Sequence, residues 1–97
     1  ALEAVRVHVC KSATLCDQGA SAMELGPVST RAKYLAGELA IKEADAALQT
    51  HGGNGFSREL GLIQAYVDAR LLRTAPISRE MVLNQVAEHV LGLPRSY

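Results

Sequence analysis

Tryptophan is absent, and aromatic residues make up only 4% of the 97 positions. That excludes a core built on large rings and leaves aliphatic packing to do the work. An excess of charge of either sign is also missing, since ten basic residues balance ten acidic ones. The basic patch or stripe of a nucleic-acid binder is therefore not expected. No apolar run approaches the ~18 residues that a membrane span requires, so no membrane insertion is expected. The opening ALEAVRVHVCK mixes charged and apolar residues and has no signal-peptide cleavage site. Cysteine is limited to Cys10 and Cys16, six apart in one expected helix and pointing in different directions. Reduced, partly buried thiols of a cytosolic-type compartment are expected, not a disulfide. Three scattered histidines show no ligand spacing, so no metal site is expected. There is no initiating Met, and Ala1 stands inside a helical pattern. A fragment of a longer subunit is expected.

What is present favours helices. Ala and Leu dominate the hydrophobic 48%, and both are strong helix formers. The first helix is expected from about Leu2 to about Gln18, with Leu2, Val5, Val9 and Cys16 at helical spacing and Gly19 ending it. Residues 19–27 are small and polar, with two Gly and a Pro, and read as a loop. The second helix then starts at Ser29 or Thr30, either of which can cap it, and runs to about Thr50. Ala32, Ala36, Ala40, Ala44 and Ala47 form a small-residue stripe that lets another helix approach closely. Tyr34, Ile41 and Leu48 form a second stripe, so this helix is expected to pack on more than one side. Ser57 is expected to cap a third helix, roughly Arg58 to Arg73, with Leu60, Ile63, Val67 and Leu71 as its apolar face. Pro76 stops it. Ser78 caps a fourth helix ending near Leu91, buried through Met81, Val82, Val86 and Val90, with Gly92 left-handed and Pro94 soon after. Short connections favour antiparallel neighbours. The expected fold class is all-α, an antiparallel up-and-down helical bundle forming one domain over residues 1–97.

The most informative stretch is Gln49-Thr50-His51-Gly52-Gly53-Asn54-Gly55-Phe56-Ser57-Arg58-Glu59. It is a helix end followed by three Gly in four residues. Glycine allows positive φ and lets a ligand come against bare N–H groups. Successive free N–H groups in such a turn can hold an anion, and Gln49, one turn back, can donate to the same ligand. The plainer reading is that Gly52 caps the helix and the other glycines make a tight turn. His51 reads as a hydrogen-bonding or packing residue, and His8 and His89 as helix-surface residues.

The stretch resembles the signature of the acyl-CoA dehydrogenase C-terminal domain, Gln-x-x-Gly-Gly-x-Gly followed by an aromatic residue and, commonly, Thr/Ser-Arg-Glu. Tyr66-Val67-Asp68-Ala69-Arg70-Leu71-Leu72-Arg73 is similar to the family's next helix, and Ala32-Lys33 through Ala46 to the helix before the turn. The resemblance implies a homo-oligomeric flavoprotein, a dimer or a tetramer, with FAD at the subunit interface and acyl-CoA as substrate. The implied reaction is α,β-dehydrogenation: a carboxylate removes the α-proton and the flavin takes the β-hydride. By resemblance, Gln49 and Gly53 match positions that meet the FAD diphosphate region from the neighbouring subunit, and Gly52 and Gly55 shape that turn. Ser78 keeps the hydroxyl of a family Thr, and Glu80 matches an acidic position near the adenosine half. For both, a plain helix-cap role stays open beside the cofactor role.

The chain departs from the family at one point that matters for catalysis. Many members read Tyr-Glu-Gly-Thr-Ser-Glu after the third helix, and the first Glu is the base. Here the segment is Ala75-Pro76-Ile77-Ser78-Arg79-Glu80. Pro76 occupies the place of the base and cannot accept a proton. Some branches, including isovaleryl-type enzymes, carry the base on an earlier helix, which here would precede Ala1. The expectation is a base upstream in the full subunit; the alternative is a non-catalytic relative. The tail from Glu88 resembles a bacterial branch, which implies a bacterial cytoplasm before a mitochondrial matrix. A cofactor-free helical interaction module is the competing class, with the alanine stripe as its dimer face.

Overall fold

The computed structural model describes residues 1–95; Ser96 and Tyr97, the end of the tail with its bacterial resemblance, lie outside the described residues. Four α-helices form, α1 Leu2–Asp17, α2 Ala22–His51, α3 Leu62–Thr74 and α4 Arg79–His89, with a 3₁₀ segment Gly52–Phe56 between α2 and α3. The all-α expectation holds, and no strand occurs among the described residues. No helix is long and apolar enough to cross a membrane among the described residues.

The largest correction concerns where α2 begins. It starts at Ala22, so most of the expected 19–27 loop is helical and Pro27 lies inside the helix. The cause is a capping box that outweighs the Pro and Gly signals. The Ser21 hydroxyl accepts from the Glu24 backbone N–H at 3.4 Å, and the Glu24 carboxylate accepts from the Ser21 N–H at 3.0 Å. Two orphan donors are satisfied at once. Proline at the sixth helical position still removes one backbone bond, but the nucleus ahead of it is already formed. α3 is corrected too. It begins at Leu62, with left-handed Gly61 (φ 65°) at the N-cap position. Ser57 instead accepts from the Glu59 N–H at 3.2 Å in a local turn. α4 matches the expected Ser78 cap and stops at His89, two residues short. Gly92 is left-handed as expected (φ 66°), and the Leu93 N–H reaches back to the Ala87 carbonyl at 2.9 Å.

α2 is the centre of the arrangement. α1, α3 and α4 each pack on it, and the outer helices touch one another marginally at most. A 30-residue helix is about 45 Å long, which sets the longest dimension of 47 Å. The radius of gyration is 16.1 Å, where a closed domain of 100 residues has about 13 Å. The bundle is open. Its buried apolar side chains among the described residues are Ala32, Ala69 and Val82.

The packed faces differ from those expected. α1 turns Val5, His8, Ser12 and Leu15 inward, while Leu2 and Val9 are exposed. His8 is thus half-buried, not on the surface. Cys10 and Cys16 are free, and both are exposed, not partly buried. α3 packs through Leu62, Tyr66, Ala69 and Arg73. Its expected apolar face, Ile63, Val67 and Leu71, points to solvent, as does Leu60 in the preceding turn. On α4, Val82 is buried and Val86 half-buried, whereas Met81 and Val90 are exposed.

In the 97-residue chain by itself, Val82→Ala should lower stability by about 2 kcal/mol through lost burial and a cavity, while Leu71→Ala on the bare stripe should stay within ~0.5 kcal/mol. Thermal denaturation of the two variants measures the difference. The capping box adds a pH dependence. Hydrogen bonds from the Ser21 backbone N–H and then its hydroxyl hold the Glu24 carboxyl below its ordinary value of 4.5. Its contribution is present above the ordinary carboxylate range and is lost as pH falls through the depressed folded value. Glu24→Gln should flatten that part of the acid limb of a stability–pH profile.

Candidate functional site

The glycine turn lies at the C-terminal end of α2. Thr50 and His51 finish the helix by bonding back to its carbonyls, Thr50 Oγ1 to Ala46 at 2.7 Å and His51 Nδ1 to Ala47 at 2.9 Å. The hydrogen-bonding role expected of His51 is thereby observed. Gly52 follows with φ 54° and ψ −137°, a conformation that L side chains rarely adopt, and its N–H donates to the Gln49 carbonyl. Gly55 is buried, and a Cβ there would lie 2.9 Å from the Leu48 carbonyl oxygen and 3.3 Å from the Leu48 Cα. Its glycine is required by the close pass of the turn over α2. Gly53 is different. Its φ is not in the positive region, and a Cβ there would meet nothing within 4 Å. Neither conformation nor packing within the chain calls for glycine at 53. Gln49 is exposed one turn back, with its amide uncommitted among the described residues, and Phe56 is 71% exposed beside the turn. The arrangement is an open backbone ledge with a free amide next to it.

The second group of expected residues sits at the corner between α3 and α4. Pro76, in a cis Ala75–Pro76 peptide, is exposed. Ser78 Oγ accepts from the Met81 N–H at 3.3 Å, so the hydroxyl acts as the N-cap of α4. Glu80 stands in the first turn of α4 with its side chain 73% exposed, 3.9 Å from Arg79.

Around this corner is a cluster that sequence reasoning missed. Glu38 Oε1 accepts from Arg73 Nε at 2.8 Å and from Arg79 Nε at 3.0 Å. The Arg79 guanidinium also lies over the Tyr34 ring, 5.8 Å from its centroid. Tyr34 first, and the charge of Glu38 with it, favours the charged form of Arg79. Lys33 Nζ donates to the carbonyls of Leu72 and Ala75, closing the C-terminal end of α3. The signal was present: Lys33 and Glu38 interrupt an otherwise small and apolar stretch of α2, and two arginines flank the Pro76 break.

The two groups of candidate residues are not brought together. Glu38, which marks the corner, and Gln49 are eleven residues apart, or about 17 Å along α2. A third feature, a groove of about 510 Å³ between the start of α2 and α4, is lined by Met23, Pro27, Thr30, Gln85, His89 and Val90 among others. Thr30 Oγ1 donates to Gln85 Oε1 at 3.0 Å. No cluster of metal-ligating side chains occurs among the described residues.

Fold and turn together define an all-α domain, hung on one long helix, whose glycine ledge opens outward. The sequence pattern of the family "Acyl-CoA dehydrogenase, C-terminal domain" matches residues 1–91. The chain belongs to this family. It is 46% identical over 99% of its length to an acyl-CoA dehydrogenase of Mycobacterium tuberculosis, covering 24% of that protein. It is 36% identical over 94% of its length to a 3-sulfinopropanoyl-CoA desulfinase of Paraburkholderia xenovorans, covering 22%. To an (R)-benzylsuccinyl-CoA dehydrogenase of Thauera aromatica it is 33% identical over 99%, covering 23%. The chain thus spans about a quarter of the length of these relatives. No solved structure matches it.

Gly53 and Gly55 should separate under substitution. Gly55→Ala should cost about 1–3 kcal/mol, because its Cβ meets helix backbone that cannot rotate away. Gly53→Ala should change stability by no more than ~0.5 kcal/mol. Chemical denaturation of the two variants in parallel is the measurement.

Proposed function

We propose that residues 1–97 are the C-terminal helical domain of an FAD-dependent acyl-CoA dehydrogenase that carries out α,β-dehydrogenation of an acyl-CoA thioester. The domain contributes a wall of the FAD site and part of a homo-oligomer interface. The observation that carries the site assignment is Gly53, a glycine that the chain's own conformation and packing do not require. Close approach of a ligand to the backbone is the remaining physical reason for it. Gln49 supplies a side-chain donor on the same ledge, and both face outward, as residues meeting a cofactor held mainly by another subunit should. FAD, when bound, supplies the two-electron acceptor. Gln49, Gly52, Gly53 and Gly55 form one contact region, and Ser78 and Glu80 a second. The separation of Gln49 from Glu38, which marks the corner of Ser78 and Glu80, is in keeping with contacts to different parts of the cofactor or to different copies of it. The bare stripe Ile63, Val67 and Leu71 supports burial against another part of the assembled protein.

In this reading the α-proton goes to a carboxylate on an earlier helix of the full subunit, since residue 76, the place of the base by resemblance, is Pro. The Mycobacterium relative is named an acyl-CoA dehydrogenase. The bacterial relatives are in keeping with a bacterial cytoplasm as the site of action.

A second reading follows from the same Pro76: a relative that binds acyl-CoA and flavin without dehydrogenating. The desulfinase of Paraburkholderia, 36% identical over this domain, bears a name other than dehydrogenase. Both readings are tested on the full-length subunit mixed anaerobically with a panel of acyl-CoAs. Bleaching of bound flavin is the expected result. Stable, unbleached flavin throughout the panel would favour the second reading, and a subunit without flavin would return the interaction module. Gly53→Leu in the same subunit should strip the flavin, with at least a tenfold loss of affinity by fluorescence titration, and leave the fold intact by circular dichroism.

A further inference from the structure

Resting on the flavoprotein reading above, we propose that Glu38 is a positioning residue that sets the α3–α4 corner and thereby presents Ser78 and Glu80 to the cofactor. α3 and α4 touch each other marginally at most, so their mutual packing does not fix the segment between them. It is fixed from α2. Glu38 Oε1 takes Arg73, in the last turn of α3, at 2.8 Å and Arg79, the first residue of α4, at 3.0 Å. One carboxylate oxygen thus ties together the two ends of the corner. Lys33 donates to the carbonyl of Leu72, next to Arg73, and to that of Ala75, inside the span that Glu38 closes.

The arrangement is sensitive to the charge of Glu38. Arg73 and Arg79 converge on a single oxygen, so two cations sit side by side with one anion between them. Removing that anion leaves two like charges facing each other. A neutral isostere therefore does more than lose a hydrogen bond; it drives α3 and α4 apart. Ser78 immediately precedes Arg79 and Glu80 follows it, so a shift of Arg79 displaces both. The two arms of the clamp differ. Arg79 leads to the cofactor-presenting residues, whereas Arg73 anchors only the end of α3.

The test uses the full-length subunit with Glu38→Gln, Arg79→Gln and Arg73→Gln, read by FAD titration and by hydrogen–deuterium exchange over residues 77–83. Glu38→Gln and Arg79→Gln are expected to weaken FAD binding tenfold or more and to speed exchange in the first turn of α4. Arg73→Gln is expected to lower the Tm while FAD affinity stays within about twofold. Arg79→Gln keeps the Glu38–Arg73 pair, so it guards against a Glu38 variant that fails to fold. Native FAD affinity and native exchange in Arg79→Gln would overturn the proposal. So would equal losses of affinity in Arg73→Gln and Arg79→Gln, which mark a generic loss of stability. A wild-type subunit that binds no FAD would sink the flavoprotein reading itself. The exchange data would then still decide whether Glu38 sets the corner.

Discussion

A single helix of 30 residues cannot be wrapped by the 67 that remain, and the rest of the structure follows from that constraint. α1, α3 and α4 have 16, 13 and 11 residues, and each covers part of α2 without covering the others. Small residues on α2 make even this coverage possible. Ala32 and Gly37 are buried, and a Cβ on Gly37 would meet the Arg73 Cα at 3.8 Å, an ordinary contact distance. The outer helices come close because the central one has little side chain to hold them off. The cost is a thin core. With Ala32, Ala69 and Val82 as its buried apolar side chains, hydrophobic burial within the chain is limited.

A thin core puts more weight on polar links between helices. Glu38, Arg73, Arg79 and Lys33 join α2 to the two helices that follow the glycine turn, at half-buried positions where water screens them only in part. A wholly exposed pair is worth little, as with Arg6 and Glu3 at 4.0 Å on α1. The corner cluster differs because three elements meet at one carboxylate oxygen. The carbonyls of Leu72 in the last turn of α3 and of its C-cap Ala75 are also satisfied there, by Lys33.

Much of this was legible from the residues, and the misses have physical causes. The cap at Ser78 and the left-handed Gly92 are local chemistry, and local chemistry reads well. The start of α2 is not legible from Gly26 and Pro27, which favour a loop, because the reciprocal Ser21–Glu24 cap outweighs them. The start of α3 was missed because Ser57 is a good cap in general, yet Gly55 presses the chain onto Leu48 and the helix waits until Gly61. The faces were missed for a deeper reason. Apolar periodicity on α3 shows which side seeks burial. It does not show whether the burying surface belongs to the same chain. Ile63, Val67 and Leu71 lie roughly a third of a turn round from the face that packs on α2, counted at 3.6 residues per turn.

The same distinction applies to the glycine turn. Gly52 answers to its own backbone angles and Gly55 to Leu48, so both would be glycine in a domain that bound nothing. Gly53 answers to neither, and the sequence alone could not separate it from its neighbours. Only the geometry divides the three glycines of the turn into two that the fold needs and one that it does not. Residues that a chain does not need for itself point to what it meets. By that argument the bare stripe of α3 and the free ledge at Gly53 are the same kind of evidence, one apolar and one polar, and both direct attention beyond these four helices.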